Sequence, residues 1–313
     1  MLGEPGQKCL LLDTASLYFR AYFGVPDTIR APDGTPVNAV RGLLDFIARL
    51  VGDYSPDALC ACWDDDWRPQ WRVDLISSYK AHRVVEEVAG APDREITPDP
   101  LAAQVPLIRE ALRLLGIAVV GAEGYEADDV IGTLAARWKG PVDVVTGDRD
   151  LFQVIDDDRE VRVLYIARGV GKHERLDARA VVARYRVLPQ QYPDFAVMRG
   201  DASDGLPGVA GIGDKTAADL LATHGDLDAI IGAAQDPDGP MTSALRSKIL
   251  AAADYLAVAP TVVRVVTDLD LANPDLLMSP LSSRQRADFT AFAEQWGLGG
   301  SATRVVAALD ALA

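Results

Sequence analysis

Five short apolar runs constrain this chain more than any other feature: Lys8–Asp13 (KCLLLD), Asp57–Asp64 (DALCACWD), Ile117–Ala122 (IAVVGA), Val142–Thr146 (VDVVT) and Val161–Ala167 (VRVLYIA). Each reads as a strand. Between them, segments such as Pro36–Val51 and Leu101–Leu115 carry apolar residues at helical spacing. Strands alternating with helices build a mostly parallel sheet covered on its faces. From about Ala178 the strand signal fades and Ala-, Leu- and Asp-rich helical patterns continue, interrupted by the loop Asp236-Pro-Asp-Gly-Pro240. The expected fold class is therefore α/β: a core over residues 1–185 and a helical C-terminal region over 186–313. Val85–Pro100, acidic and with three prolines, is expected to be an exposed connection.

Composition excludes several classes. The chain has 313 residues, of which 46 are Asp or Glu and 31 Lys or Arg, for a net charge of −15. Taken as a bulk property, that balance argues against a nucleic-acid partner, because phosphate-binding proteins carry a basic footprint. No apolar run approaches the roughly 18 residues that span a bilayer, and the N-terminus lacks a signal-peptide pattern. Cys60 and Cys62 have no nearby His or Cys partners, which argues against zinc and for a reduced, cytoplasmic location.

The placement of the acidic residues says more than their number. In open α/β sheets ligands bind beyond the carboxyl ends of the strands. Asp13 ends the first strand and Asp64 the second; Glu126, Asp128 and Asp129 follow the third, and Asp148 and Asp150 the fourth, while Asp201 and Asp204 come later at i, i+3. Singly, each has an ordinary explanation as a helix N-cap or as a partner of a helix dipole. Nine together at one edge would repel strongly. Hard divalent cations such as Mg²⁺ or Mn²⁺ prefer oxygen ligands and relieve that repulsion. Two ions ~4 Å apart can hold the attacking and leaving oxygens of a phosphoryl transfer. His82, His173 and His224 are scattered, so covalent catalysis has little support.

Two further features stand out. In Leu206-Pro-Gly-Val-Ala-Gly-Ile-Gly-Asp-Lys-Thr-Ala217, glycines 208, 211 and 213 lie between two helical patterns, and Lys215 and Thr216 open the second. Such a turn lets backbone N–H groups and a helix N-terminus approach a phosphate; the ordinary alternative is a glycine-rich helix–helix turn. Arg68, Arg72, Tyr79, Lys80 and Arg83 follow the second strand. Cations there can grip a scissile phosphate, and Tyr79, Trp67 and Trp71 offer stacking surfaces. Alone, this cluster reads better as solvated helix charges and core aromatics.

Together these blocks resemble the 5′ nuclease family, which includes the 5′ nuclease domain of bacterial DNA polymerase I, phage 5′ exonucleases and flap endonucleases. The blocks that carry the resemblance are Leu11-Leu-Asp13, Cys62-Trp-Asp64, Trp71-Arg72, Tyr79-Lys80-Ala-His-Arg83, Gly124-Tyr-Glu-Ala-Asp-Asp129, Thr146-Gly-Asp-Arg-Asp-Leu151, Gly200-Asp-Ala-Ser-Asp204 and Leu206–Gly213, in the family's order over about residues 8–225. The resemblance implies a PIN-like core, a helical arch over about 72–105 and a helix–three-turn–helix element over about 194–225. It assigns Asp13, Asp64, Glu126, Asp128 and Asp129 to one metal site and Asp148, Asp150, Asp201 and Asp204 to a second. Lys80 and Arg83 become catalytic cations. Arg72, Tyr79, Gly208, Val209, Gly211, Ile212, Gly213, Lys215 and Thr216 become DNA contacts, with a K⁺ held by carbonyls of the hairpin. The implied activity is 5′-3′ exonuclease and flap endonuclease cleavage of DNA in replication and repair. The expected partners are DNA 5′ ends, flaps and junctions, with no membrane, and the expected state is a free-standing monomer.

Three departures from the family pattern matter. The segment before Trp71 is one residue longer, which leaves Asp65 as an alternative ligand to Asp64; Gly205 stands where Asn is expected; and the stretch after Arg83 is about ten residues longer than in polymerase-linked members. Two competing readings remain: a PIN-type single-strand ribonuclease, which gives no reason for the hairpin, and a non-catalytic DNA-structure binder, which gives no reason for nine acids.

Overall fold

The computed structural model describes residues 2–86 and 93–312. All five apolar runs form strands. In chain order the strands are β1 (Cys9–Asp13), β2 (Ala58–Cys62), β3 (Val84–Glu86), β4 (Arg94–Glu95), β5 (Ala118–Val120), β6 (Val142–Thr146), β7 (Val161–Tyr165) and β8 (Glu174–Leu176). Six make one sheet in the order β5-β2-β1-β6-β7-β8, parallel except for β8 at the edge. β3 and β4 form a separate antiparallel hairpin. β8 was not expected: its three residues, Glu-Arg-Leu, offer no apolar run, and pairing with β7 alone makes it a strand. Because β1 pairs with β2 on one side and β6 on the other, strand order reverses at β1/β6. A cleft opens beyond the carboxyl ends of strands at such a reversal.

The helices follow from periodicity and caps. They are α1 (Thr14–Gly24), α2 (Asn38–Tyr54), α3 (Gln70–Leu75), α4 (Asp99–Ala102), α5 (Val105–Leu114), α6 (Ala127–Arg137), α7 (Ala178–Tyr185), α8 (Tyr192–Arg199), α9 (Asp214–His224), α10 (Leu227–Gln235), α11 (Ser243–Ala251), α12 (Ala253–Val263), α13 (Ser283–Gln295) and α14 (Gly299–Asp310). In α2, Val40, Leu43, Leu44, Ile47, Leu50 and Val51 form one buried stripe. The single helix expected over Leu101–Leu115 is split into α4 and α5. Pro106, in the first turn of α5, lacks the N–H that a continuous helix would need there.

Alternate strand residues feed two apolar layers. Cys9, Leu11, Cys60, Cys62 and Val144 face α6, α8, α9 and α12; Leu10, Leu12, Leu59, Ala61 and Val145 face α1, α2, α5, α13 and α14. The helical C-terminal region therefore completes the core on both faces of the sheet. Leu277 bridges to Ala58 at the start of β2, the end of the sheet opposite the carboxylates.

Within the expected arch, the described residues do not form a continuous helix. They hold the end of α3, a 3₁₀ turn at Ala81–Arg83, the β3–β4 hairpin and α4. Residues 87–92, central to that expectation and to the expected Val85–Pro100 connection, lie outside the described residues. Among the described residues, no helix is long and apolar enough to cross a membrane.

Candidate active site

Asp13, Asp64, Glu126, Asp128 and Asp148 share the wall of one cavity of about 820 Å³ with Lys80, Arg83 and Arg20. Asp150 and Asp204 line a small recess beside it, which Glu126, Asp128 and Lys80 also border. Local structure fixes these carboxylates. Asp13 caps α1 by accepting the Ser16 N–H at 3.1 Å, and its other oxygen accepts the Thr146 hydroxyl at 2.7 Å across the β1–β6 seam. Asp64 accepts the Ala127 N–H at 2.8 Å, tying the end of β2 to the first turn of α6. Asp148 accepts the Asp150 N–H at 2.9 Å. Asp64 lines the cavity, whereas Asp65 pairs outside it with Arg109 at 3.2 Å.

Several residues sit differently from their expected roles. Asp129 is fully buried; its oxygens take both ends of the Arg72 guanidinium at 2.8 and 2.9 Å and the N–H groups of Val266 and Glu126. With its lone pairs so occupied, Asp129 is a structural partner of Arg72 rather than a ligand. Arg72, 3% exposed, also reaches Glu126 at 3.0 Å and the Val262 carbonyl, and so has no path to DNA. Tyr79 is likewise buried, and its hydroxyl donates to Glu126 at 2.6 Å, so it offers no stacking face. Trp71 packs under Arg72 and donates to the Gly124 carbonyl. Asp201 stands apart from both cavities, held by Arg199 at 3.1 Å and by the Ser203 N–H and hydroxyl.

The turn that carries Lys80 is clamped to the loop after α8. Arg68 fastens it from within, donating to the Tyr79 and Ser77 carbonyls. The Lys80 N–H donates to the Asp204 carbonyl at 2.9 Å, and the Ser78 hydroxyl to the Gly205 carbonyl at 2.7 Å. This contact accounts for Gly205. Its φ is +70°, and a Cβ there would lie 2.0 Å from the Ser78 carbonyl oxygen. The ammonium of Lys80 is thereby delivered to Glu126, and Arg83 spans to the Ser203 carbonyl and Asp204. Arg20 was not foreseen. It lies one helical face along from Asp13 and Ser16, at i, i+3 and i+7, and that spacing was the signal available in the sequence. Phe23, 73% exposed, lies on the same wall.

The glycine hairpin joins α8 to α9 at the predicted place. Gly208 has φ +68°, and a Cβ would come within 2.5 Å of the Gly200 nitrogen, so the two ends of the loop pack backbone to backbone. Val209 and Ile212 are buried in the core, so only their backbone is near the surface. Gly213 gives α9 no side-chain cap, and its first turn carries the acidic Asp214 beside Lys215 and Thr216.

The electrostatics show what the site lacks. Burial, then repulsion from Asp13 and Glu126, lifts Asp64 to about 7 against the relief of the Ala127 N–H. Asp204 rises to about 6, again chiefly through burial. Asp128 and Asp150 are pushed well above the carboxylate range by burial and by Asp148, and Asp148 is raised too. Glu126 is the exception: burial would raise it, but Lys80 and Arg72 hold it down. Raised carboxylates bind protons more tightly folded than unfolded. Their contribution therefore favours the folded state below the ordinary carboxylate range and is lost as pH climbs through about 6 to 7. Among the described residues, no three acid, histidine or cysteine side chains converge closely enough to chelate an ion as they stand. The donors nonetheless fit a hard cation: all are carboxylate oxygens, and Asp150 Oδ1 is buried without a partner.

A PIN-like α/β core with acids at its strand reversal, joined to a helical unit, is the class that this geometry defines. A family model described as "5′-3′ exonuclease, N-terminal resolvase-like domain" matches residues 8–186, and one described as "5′-3′ exonuclease, C-terminal SAM fold" matches 187–283. The chain belongs to the 5′-3′ exonuclease family. It is 58% identical over 302 residues to a 5′-3′ exonuclease of Streptomyces coelicolor, covering 96% of this chain and 100% of that protein. It is 39% identical over 244 residues to DNA polymerase I of Mycobacterium tuberculosis, covering 77% of this chain and 25% of the polymerase. The bacteriophage T5 D15 flap endonuclease, solved with DNA and metal ions, shares the fold at a TM-score of 0.65 and 19% identity, covering 92% of this chain and all of that one. The catalytic core of Rad2 with a DNA substrate gives 0.58 and 15%, covering 99% and 93%.

Two stability outcomes follow. Asn in place of Asp129 removes one of the two buried carboxylates paired with Arg72 and should cost about 3–5 kcal/mol, whereas Asp148→Asn removes a repelling charge and should raise the melting temperature of metal-free protein at pH 8. Thermal unfolding of both variants checks the pair; equal signs would undo the division into structural and repelling carboxylates. Gly205→Asn should lose about 1–3 kcal/mol by forcing the Ser78 turn away, and an unchanged melting temperature would show that the turn yields freely.

Proposed function

We propose that this chain is a divalent-metal-dependent 5′ nuclease that trims DNA 5′ ends and cuts 5′ flaps, leaving a 3′-OH and a 5′-phosphate. The observation that carries the reading is the set of buried, mutually repelling carboxylates at the β1/β6 reversal, faced by Lys80 and Arg83. Asp13, Asp64, Asp128 and Asp148 would hold one Mg²⁺ or Mn²⁺, and Asp150 and Asp204, with Asp128 shared, a second. Asp201, paired with arginine, supports that second group from behind. Such ions supply charge neutralisation at the attacking and leaving oxygens of a phosphodiester.

The chain's own residues do the rest. Lys80, Arg83 and Arg20 present cations to the scissile phosphate across the cavity mouth. Arg72 and Tyr79 fix Glu126, and Glu126 in turn orients Lys80. The first turn of α9 and the backbone of Gly208–Gly213 receive the duplex backbone, setting how far the 5′ end reaches into the cavity. Family membership and the Streptomyces relative's name support exonuclease action; the T5 flap endonuclease supports the flap substrate, and the Rad2 complex a DNA substrate.

The test is a 5′-flapped duplex incubated with the protein in Mg²⁺ or Mn²⁺. Cleavage near the junction is expected in at least one metal, and none in either would sink the proposal. Asp148→Ala should lower cleavage by at least about 10²-fold while duplex affinity stays within a few-fold of the parent; near-parental turnover would remove Asp148 from the metal role.

A further inference from the structure

The hairpin β3–β4 lies in the longer stretch after Arg83, and its second strand is fastened to the site on either side. Before it, the Asp93 carboxylate accepts from the Arg68 guanidinium at 2.5 Å, with the two side chains only 13% and 5% exposed, and the Asp93 carbonyl accepts the Trp67 indole N–H at 2.6 Å. After it, the Ile96 N–H donates to the Arg83 carbonyl at 2.7 Å. Glu95 stands between these anchors, paired across the ladder with Val84, and lines the same cavity as Lys80, Arg83 and Asp64. A strand residue anchored in this way cannot turn its side chain to the other face without breaking the pairing. The carboxylate of Glu95 is therefore a fixed part of the cavity wall, contributed by a different element from the nine acids read in the sequence.

Burial raises the Glu95 carboxyl, and Arg83 and then Lys80 pull it back, so it sits within the field of both cations. Those cations have other partners: Lys80 reaches Glu126 and the Trp67 carbonyl, and Arg83 the Ser203 carbonyl and Asp204. We infer that Glu95 is a specificity-determining residue whose negative charge disfavours a strand that continues 5′ beyond the scissile phosphate, and so turns the enzyme toward recessed 5′ ends over long flaps. Lys80 and Arg83 draw the scissile phosphate in. The duplex surface adjoins the loop that Arg83 touches at Ser203 and Asp204, and the part of a strand that runs on past Arg83 comes upon Glu95. A further phosphate there meets a like charge, and repulsion of the unwanted form is how a site selects between substrates that share its main contacts. The inference rests on the reading of this cavity as a 5′ nuclease site, and the experiment separates the two.

Two fluorescent DNA duplexes, one with a recessed 5′ end and one with a short 5′ flap, are titrated by anisotropy in Ca²⁺, a hard ion that carboxylates accept. Their cleavage is then followed in Mg²⁺ or Mn²⁺. The variant is Glu95→Gln, which keeps the shape of the side chain and removes its charge. It should bind the flapped duplex about three- to tenfold more tightly than the parent does, and the recessed one within about twofold. In cleavage the gain should appear as a lower KM for the flap, with kcat within about twofold for both substrates. Equal effects on the two duplexes, or none, overturn the inference. So does a kcat that falls about tenfold or more, which would put Glu95 among the metal ligands. A parent protein that cuts neither duplex fails the nuclease reading, and the two affinities still decide the role of Glu95.

Discussion

Acids set at the carboxyl end of a parallel sheet repel one another, and the rest of this structure is arranged around that repulsion. Asp13 and Asp148 meet across the β1–β6 seam because the strand order reverses there, and Asp64 reaches them from the end of β2. The sheet cannot move these groups apart without losing its register. Neutralisation must come from elsewhere, and the protein supplies only part of it. Arg72 and Lys80 settle Glu126 and Asp129, and Arg199 settles Asp201. Asp64, Asp128, Asp148, Asp150 and Asp204 stay strained toward protonation. A site that keeps charges in excess has reserved room for a ligand's opposite charge.

The C-terminal helices are part of the same device. α8 and α12 pack against the sheet through the layer that holds Cys9 and Leu11, so the loop after α8 is anchored by the core. That loop presents Asp204 to the cavity and, through Gly205, grips the turn that carries Lys80. The glycine hairpin begins at the next residue, Leu206. Cavity and glycine hairpin are thus joined by one short stretch of backbone, which fixes the distance between them.

Much of this was legible in the sequence. The five strands were marked by their apolar runs, and the position of acids just beyond them predicted convergence without any alignment. What stayed hidden depended on partners far along the chain. Nothing local distinguishes Asp129 from Asp128; the first meets Arg72 and the second faces the cavity because one helical step turns them apart. Tyr79 and Arg72 looked like exposed contacts because their burial comes from α12 and the loop after it, nearly two hundred residues on. Gly205 read as a missing side chain and proved to be a steric requirement. The acidic overall charge was misleading for the same reason: net charge averages over a surface, whereas the site depends on a few placed charges.

The central claim is that these carboxylates hold protons until a divalent ion displaces them. Calorimetric titration of Mg²⁺ or Mn²⁺ into the metal-free protein at pH 6.5, repeated in buffers of different ionisation enthalpy, measures that displacement directly. With Asp64 lifted to about 7 and Asp128 and Asp150 pushed well above the ordinary carboxylate range, binding should release about one proton or more per protein, and affinity should rise steadily from pH 5.5 to 8. Binding without proton release and with affinity flat across that range would contradict the account.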